Sequence, residues 1–318
     1  MHQKSIVRRT LLLFLFIALS CQVSWAQNIT TSTENKTSRH QQLELRHDND
    51  FFNFTDRYYT SGSFIEYRYR LDQGEYEEHP EQISFLLQHE IYTPSNILTS
   101  DITEMDRPYA GFLGISSGWS KVVNTEFLQT KVLIGVSGPI SGAADFQGLF
   151  HSAGGISTPP WDNQINNSFH INFYVDYIKE WLLYAGSLRL YVATNPSFAV
   201  GTKDVYVQQE TAIYFGKRNA MPSSVAYNQL GSLDNELFLK LRANYRFVQH
   251  DAMLEGNLVR DNSPFLVSSK DSVLFLGADV IYRWGKNDFK LAYTYHTPKF
   301  FRTQDPHIYM GVTVARRL

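Results

Sequence analysis

Glu236-Leu237-Phe238-Leu239-Lys240-Leu241-Arg242-Ala243-Asn244-Tyr245-Arg246-Phe247-Val248 is the stretch on which the fold class turns. Leu237, Leu239, Leu241, Ala243, Tyr245 and Phe247 alternate with Phe238, Lys240, Arg242, Asn244 and Arg246, so an extended chain carries one apolar face and one mostly charged face. Ile65, Tyr67, Tyr69 and Leu71 against Glu66, Arg68 and Arg70 repeat the pattern, as do Ile308, Met310, Val312 and Val314 against Tyr309, Gly311 and Thr313. A water-soluble sandwich also alternates, but its strands run to about five or six residues. Many segments here reach ten or more, a length that suits a tilted strand crossing a bilayer.

Apart from the first residues, no apolar run approaches the roughly 18 residues a spanning helix needs. Hydrocarbon admits open-ended sheets no better, because unpaired strand edges cannot be solvated there, which leaves a closed barrel. Apolar-out, polar-in alternation is its sequence mark. Strands are expected near 41–49, 59–71, 82–92, 110–121, 126–136, 168–181, 187–200, 204–215, 236–248, 272–284, 289–296 and 307–316. The fold class is therefore all-β, a transmembrane antiparallel β-barrel of about 12 strands, an even number as bacterial barrels require. Met253–Leu258 is assigned to a long loop, and Trp119, Trp161, Trp181 and Trp284 to aromatic belts.

Residues 1–26 read as a signal peptide: Lys4, Arg8 and Arg9 precede the apolar run from Leu11 to Leu19, and Ser24-Trp25-Ala26 offers a cleavage site. The one cysteine, Cys21, lies inside that leader, with Ala18 where a lipoprotein signal carries leucine. Polar residues 27–40 read as a disordered lead-in and 41–318 as one barrel domain. A net charge of −2 argues against nucleic-acid binding. The inward Arg46, Arg68, Arg70, Lys240, Arg242 and Arg246 are expected to pair with acids such as Glu44, Glu66 and Glu210. Gly114-Ile115-Ser116-Ser117-Gly118 fits the serine-hydrolase pattern, but its flanks continue as a strand without the turn and helix that pattern needs.

His47-Asp48-Asn49-Asp50-Phe51-Phe52, followed by Thr55-Asp56-Arg57-Tyr58-Tyr59-Thr60-Ser61-Gly62, packs carboxylates, an amide and hydroxyls into the first strand connection. It is a candidate cation-binding catalytic corner, with a polar hairpin turn as the plainer alternative. Calcium takes several hard oxygen ligands, which makes Asp50 the first choice of metal ligand. Asn49 is placed either on the metal or on the substrate carbonyl, and Thr60 fixes either group through its hydroxyl. Alternation sends Asn49 to the opposite face from Asp48 and Asp50, which predicts a bulge there. His151 is the expected general base, because imidazole accepts a proton from water near neutral pH. It follows Gly142–Phe150, where Phe146, Leu149 and Phe150 share one face of a short helix expected to lie on the barrel or on acyl chains.

Beyond the first corner, the chain carries Ile91-Tyr92-Thr93-Pro94, Asp106-Arg107-Pro108-Tyr109-Ala110-Gly111, Gly135-Val136-Ser137-Gly138-Pro139, His151 before Trp161-Asp162-Asn163-Gln164, and Phe301-Arg302 to His307-Ile308-Tyr309. In that order these resemble the landmarks of the outer-membrane lipid A 3′-O-deacylase family. The resemblance spans nearly the whole chain after the leader. It implies an outer-membrane barrel, monomeric, that removes the 3′-linked acyloxyacyl group from the lipid A of lipopolysaccharide in a calcium-dependent hydrolysis at the outer rim. The chain departs from the family's best-known type at two places. Gly155-Ile156-Ser157-Thr158 stands where a glutamate follows the histidine, and Asn96-Ile97-Leu98-Thr99 where a lysine follows the third strand. Asp145, Asp162, Glu104 and Asp106 are the acids available to compensate. Two other readings are a non-enzymatic barrel, porin or structural, and an outer-membrane phospholipase.

Overall fold

The computed structural model describes residues 40–50, 55–71, 79–259 and 261–318. The expected leader at 1–26 lies outside them, as does the lead-in apart from His40. Twelve strands form a closed barrel in which each pairs antiparallel with its sequence neighbours and the last closes on the first. They are β1 (Gln41–Asn49), β2 (Tyr58–Arg70), β3 (Glu81–Thr93), β4 (Ala110–Val123), β5 (Glu126–Ser137), β6 (Ser168–Ala185), β7 (Arg189–Gly201), β8 (Asp204–Lys217), β9 (Glu236–Asp251), β10 (Ser272–Trp284), β11 (Asn287–His296) and β12 (His307–Arg317). Closure runs through Gln42↔Arg317 to Asn49↔Met310, so the described barrel leaves no open edge to hydrocarbon. Several strands run longer than the alternation alone marks, β6 by four residues at its end, where Leu182–Ala185 is exposed and the register shifts between Leu182 and Tyr184.

Outward rows are apolar and exposed: Leu43 and Leu45 on β1, Phe85 and Leu87 on β3, Leu113 and Ile115 on β4, and Leu237, Leu239 and Leu241 on β9. Inward rows are charged and paired. Arg68 bonds Glu44 and Glu66, Lys240 bonds Glu210, and Arg242 bonds Asp279, which is the pairing expected of a small lumen. Gly114–Gly118 sits in mid-β4 with unbroken pairing to both β3 and β5, so Ser116 is a wall residue with no nucleophile elbow. Trp181 and Trp284 face outward and are exposed, as belt residues are. Trp161 is not one of them: it is buried at the rim against Tyr109, with ring centres 5.1 Å apart.

The two ends differ. The start of β1, the end of β12 and the tight turns at 124–125, 186–188 and 285–286 share one end, and the long connections at 94–109, 138–167 and 252–271 share the other. Short turns face the periplasm in bacterial barrels and long loops face outside. Within 138–167 lies α1 (Ala143–Gly154), and Met253–Leu258 does fall in a loop, which opens with the single turn α2 (Ala252–Glu255).

The connection from β8 to β9, at the short-turn end, folds back into the barrel. Met221, Val225 and Tyr227 pack with Phe127, Tyr191, Tyr214, Phe238 and Ile281 into an apolar cluster that fills the lumen there. Arg283, fully buried, pins this plug: it bonds Glu236 and Asp288 and donates to the carbonyls of Ser223 and Gln229. Replacing it leaves two buried carboxylates without their main counter-charge, with Arg317 3.8 Å from Asp288 as partial relief. Arg283→Leu is expected to lower stability by about 3–5 kcal/mol, the usual cost of removing one partner from a buried pair, read as an earlier urea midpoint in vesicles.

Candidate active site

β1 and β2 set the site through their register. Pairing of Asn49 with Met310 on one side and Ser61 on the other is continuous, so the expected bulge is not in β1. It lies in β2, between Tyr59 and Ser61, and the extra residue is Thr60. Tyr59 and Gly62 keep the inward phase, where the Tyr59 hydroxyl donates to Asp48 at 2.9 Å. Thr60 is released to the other face, where its hydroxyl meets that of Thr93 at 3.0 Å. Thr93 shares the phase of Phe85, Leu87 and His89 on β3, the outward row. The extra residue thus carries a hydroxyl through the wall to the outside of the barrel.

The helix α1 lies against that same outer surface. Ala143 and Ser141 approach Gly111 so closely that an added Cβ would sit 2.3 Å from the Ala143 methyl, and only glycine fits at Gly111. His89 accepts the helix from the β3 side: its ring meets Phe146 edge-on at 5.3 Å, and its Nε2 lies 3.1 Å from the Ser141 carbonyl oxygen. Gly155, in the left-handed region, ends the helix and donates back to it. One helical stripe, Ala143, Gln147 and His151, is buried against the wall. The apolar face expected on the barrel or on acyl chains, Phe146, Leu149 and Phe150, lies off this stripe and is exposed, with Leu149 at 73%. The polar stripe wins the inner side because its groups have buried partners to satisfy.

Asp56 is the partner that matters, a residue to which the sequence pattern assigns no role. Its Oδ2 lies 3.2 Å from His151 Nε2, and its Oδ1 accepts from Thr60 at 3.0 Å and from Gln147 at 3.5 Å. Trp161 donates to Gln147 at 2.8 Å, so the Tyr109–Trp161 stack steadies Gln147 and through it Asp56. His151 Nδ1 lies 2.8 Å from the Ser157 carbonyl, which can only accept, so Nδ1 carries a hydrogen. Nε2 then faces a carboxylate, which favours the protonated ring. The Asp56 hydrogen bond accordingly raises the His151 pKa above its ordinary value. A carboxylate spaced four residues before Thr60, and a glutamine four before His151, were the available signals.

Asp50 lies just past β1 and is 1% exposed. Its Oδ2 accepts from the Thr55 hydroxyl at 2.8 Å and the Arg57 amide at 2.9 Å. Burial pushes its carboxyl up to about 8 despite those bonds, and the nearby Asp56 charge adds to the rise. Asp50 and Asp56, with the hydroxyls of Thr55, Thr60 and Thr93, form an oxygen-rich donor set. That is the chemistry of a hard-cation site. Among the described residues no three carboxylate, histidine or cysteine side chains converge as a cage, so carbonyls and waters would complete the shell.

The remaining expected residues fall as follows. Asn49 is half-buried on the outward phase of β1, opposite to Asp48. Asp145, Asp162 and Glu104 are exposed, with Glu104 holding Thr99, and Asp106 accepts from the Ser95 amide. His151 has none of these four as its carboxylate; it has Asp56.

No curated protein matches the chain. Among solved structures, LpxR from Salmonella typhimurium superposes with a TM-score of 0.73 at 18% identity, over 87% of this chain and 100% of that one. The β domain of the Bordetella autotransporter BrkA follows at a TM-score of 0.42 and 10% identity, over 89% of this chain and all of that one. The family described as outer membrane protein LpxR matches residues 11–318. A match of that extent, over a barrel with this strand count and this rim, makes the chain a member of the outer membrane protein LpxR family.

Proposed function

We propose that the chain is an outer-membrane ester hydrolase that removes the 3′-linked acyloxyacyl group from lipid A. The observation that carries the reading is the pairing of His151 with Asp56 on the outer face of the wall, at the long-loop rim. A lipid lying in the outer leaflet presents its ester carbonyls at that depth and from that side. A pore needs an open lumen, and here the periplasmic end is filled by the 218–235 segment.

In this reading His151 is the general base. Ser157 holds the ring through Nδ1, and Asp56 holds the proton at Nε2. Loss of that proton opens the Nε2 lone pair to a water molecule, which attacks the ester carbon. The Asp56 carboxylate also stabilises the imidazolium that forms as the water is deprotonated. Thr60 and Gln147 fix Asp56 and are positioning residues. Asp50, with Asn49 and the hydroxyls beside it, would hold calcium, whose charge when bound serves the developing oxyanion.

Three outcomes test this reading. His151→Ala is expected to cut deacylation about 10²–10⁴-fold, the usual worth of a general base, measured by mass analysis of lipid A from expressing cells. At saturating calcium, activity should rise with pH through the elevated His151 pKa, because the protonated ring is the inactive form. Asp56→Asn removes the group that raises that pKa, so its ascending limb should move to lower pH; an unmoved limb rejects the assignment.

Calcium must displace the Asp50 proton. Its affinity is therefore expected to climb with pH, by about tenfold per unit below pH 8 for one-proton competition, as calorimetry would record, and a flat affinity excludes Asp50 as ligand. Gly111→Val should push α1 off the wall, abolishing activity while the barrel keeps its β spectrum.

A further inference from the structure

At 100° per residue the exposed arc of α1 divides into two flanks. Phe146, Leu149, Phe150 and Ala153 lie together on one side of the buried Ala143–Gln147–His151 stripe, and Asp145 and Ser152 lie on the other. The helix therefore has three faces: polar toward the wall, apolar to one side, polar to the other. Phe146 and Phe150 are 45% and 43% exposed, and Leu149 more so. In a loop surrounded by water on all sides, such a flank has no cover.

The wall supplies the missing context. Phe146 touches His89, and His89 continues the outward row of β3 whose next members toward the membrane are Leu87 and Phe85. Gly111, beneath Ala143, continues the outward row of β4 with Leu113 and Ile115. The apolar flank is thus continuous with the surface that meets hydrocarbon, and the chemistry that covers that surface covers the flank.

We infer that α1 is an interfacial helix: Phe146, Leu149 and Phe150 are immersed among the acyl chains of outer-leaflet lipids, while Asp145 and Ser152 face water. The bilayer then clamps α1 against β3 and β4 from outside, and so holds His151 on Asp56. Helices of this kind lie in the interface plane with one flank in the acyl boundary. The inference rests on the placement of α1 outside the wall and is independent of the ester-hydrolase reading.

Spin labels on single cysteines at Leu149, Ser152 and Ile115, in a Cys21→Ser background and in phosphatidylcholine nanodiscs, test it without turnover. Ile115 is the lipid-facing reference. The label at 149 is expected to collide with oxygen and to be shielded from a water-soluble nickel chelate, as at 115, whereas the label at 152 meets the chelate. Equal chelate access at 149 and 152 overturns the inference, since the helix then stands in water. Shielding of 149 from both reagents also overturns it, because the cover is then protein. As a label-free check, Leu149→Trp should add fluorescence that brominated phosphatidylcholine quenches; added emission unaffected by bromine counts against immersion.

Discussion

Hydrocarbon leaves no backbone hydrogen bond to chance, and the closure of β12 on β1 answers that constraint. Once the sheet is sealed, the period of two is imposed all round, and every residue of the wall belongs either to lipid or to lumen. A hydrolytic site that must meet a lipid from the side then has to bring polar groups to the lipid phase without breaking the seal. The chain does this at one place, the outer rim, where Thr60 is inserted into β2 and Thr93 ends β3. The bulge costs one ladder position and delivers a hydroxyl on the outside while Tyr59 and Gly62 stay in phase with the lumen.

The same constraint explains why the second half of the site comes from a helix. A strand alternates too quickly to present two neighbouring polar groups to one side, whereas Gln147 and His151, four apart on α1, lie one above the other. The helix reaches the wall only because position 111 has no side chain to keep it off. Trp161 closes the arrangement from above by bonding Gln147 and stacking on Tyr109. The Asp106–Gly111 segment and the Trp161 segment, which read in the sequence as separate landmarks, are therefore two sides of one support.

The barrel was legible because its signal repeats: the alternation at 236–248 or at 308–314 has the same two faces in the structure that it has on paper. The loops were less so. Phe146, Leu149 and Phe150 share one face of α1 in the sequence, but periodicity does not tell the barrel from acyl chains as what that face meets, and the structure leaves it exposed. The bulge was placed in β1 because parity separates Asn49 from Asp50; parity cannot tell which of two paired strands takes the extra residue. Asp56 was invisible as a partner of His151 because 95 positions of chain separate them, and only the closed sheet brings them to 3.2 Å. The luminal plug at 218–235 carries no periodic pattern at all, and its contacts with Gln82, Arg283 and Arg317 are equally remote in sequence.

The proton inventory at the rim ties these pieces together. Ser157 fixes one imidazole nitrogen as a donor, Asp56 faces the other, and Asp50 nearby is buried enough to hold its own proton into the neutral range. Burial at Asp50 and the Asp56 carboxylate beside His151 both favour the protonated forms. Positive charge placed among Asp50, Asp56 and the threonine hydroxyls favours the ionised carboxylates and weakens the hold of Asp56 on the imidazole proton, by the electrostatics that raise both values in its absence. Under the proposed reading, cation binding would be coupled to the appearance of the base through the two acids already in contact with the helix and the first connection.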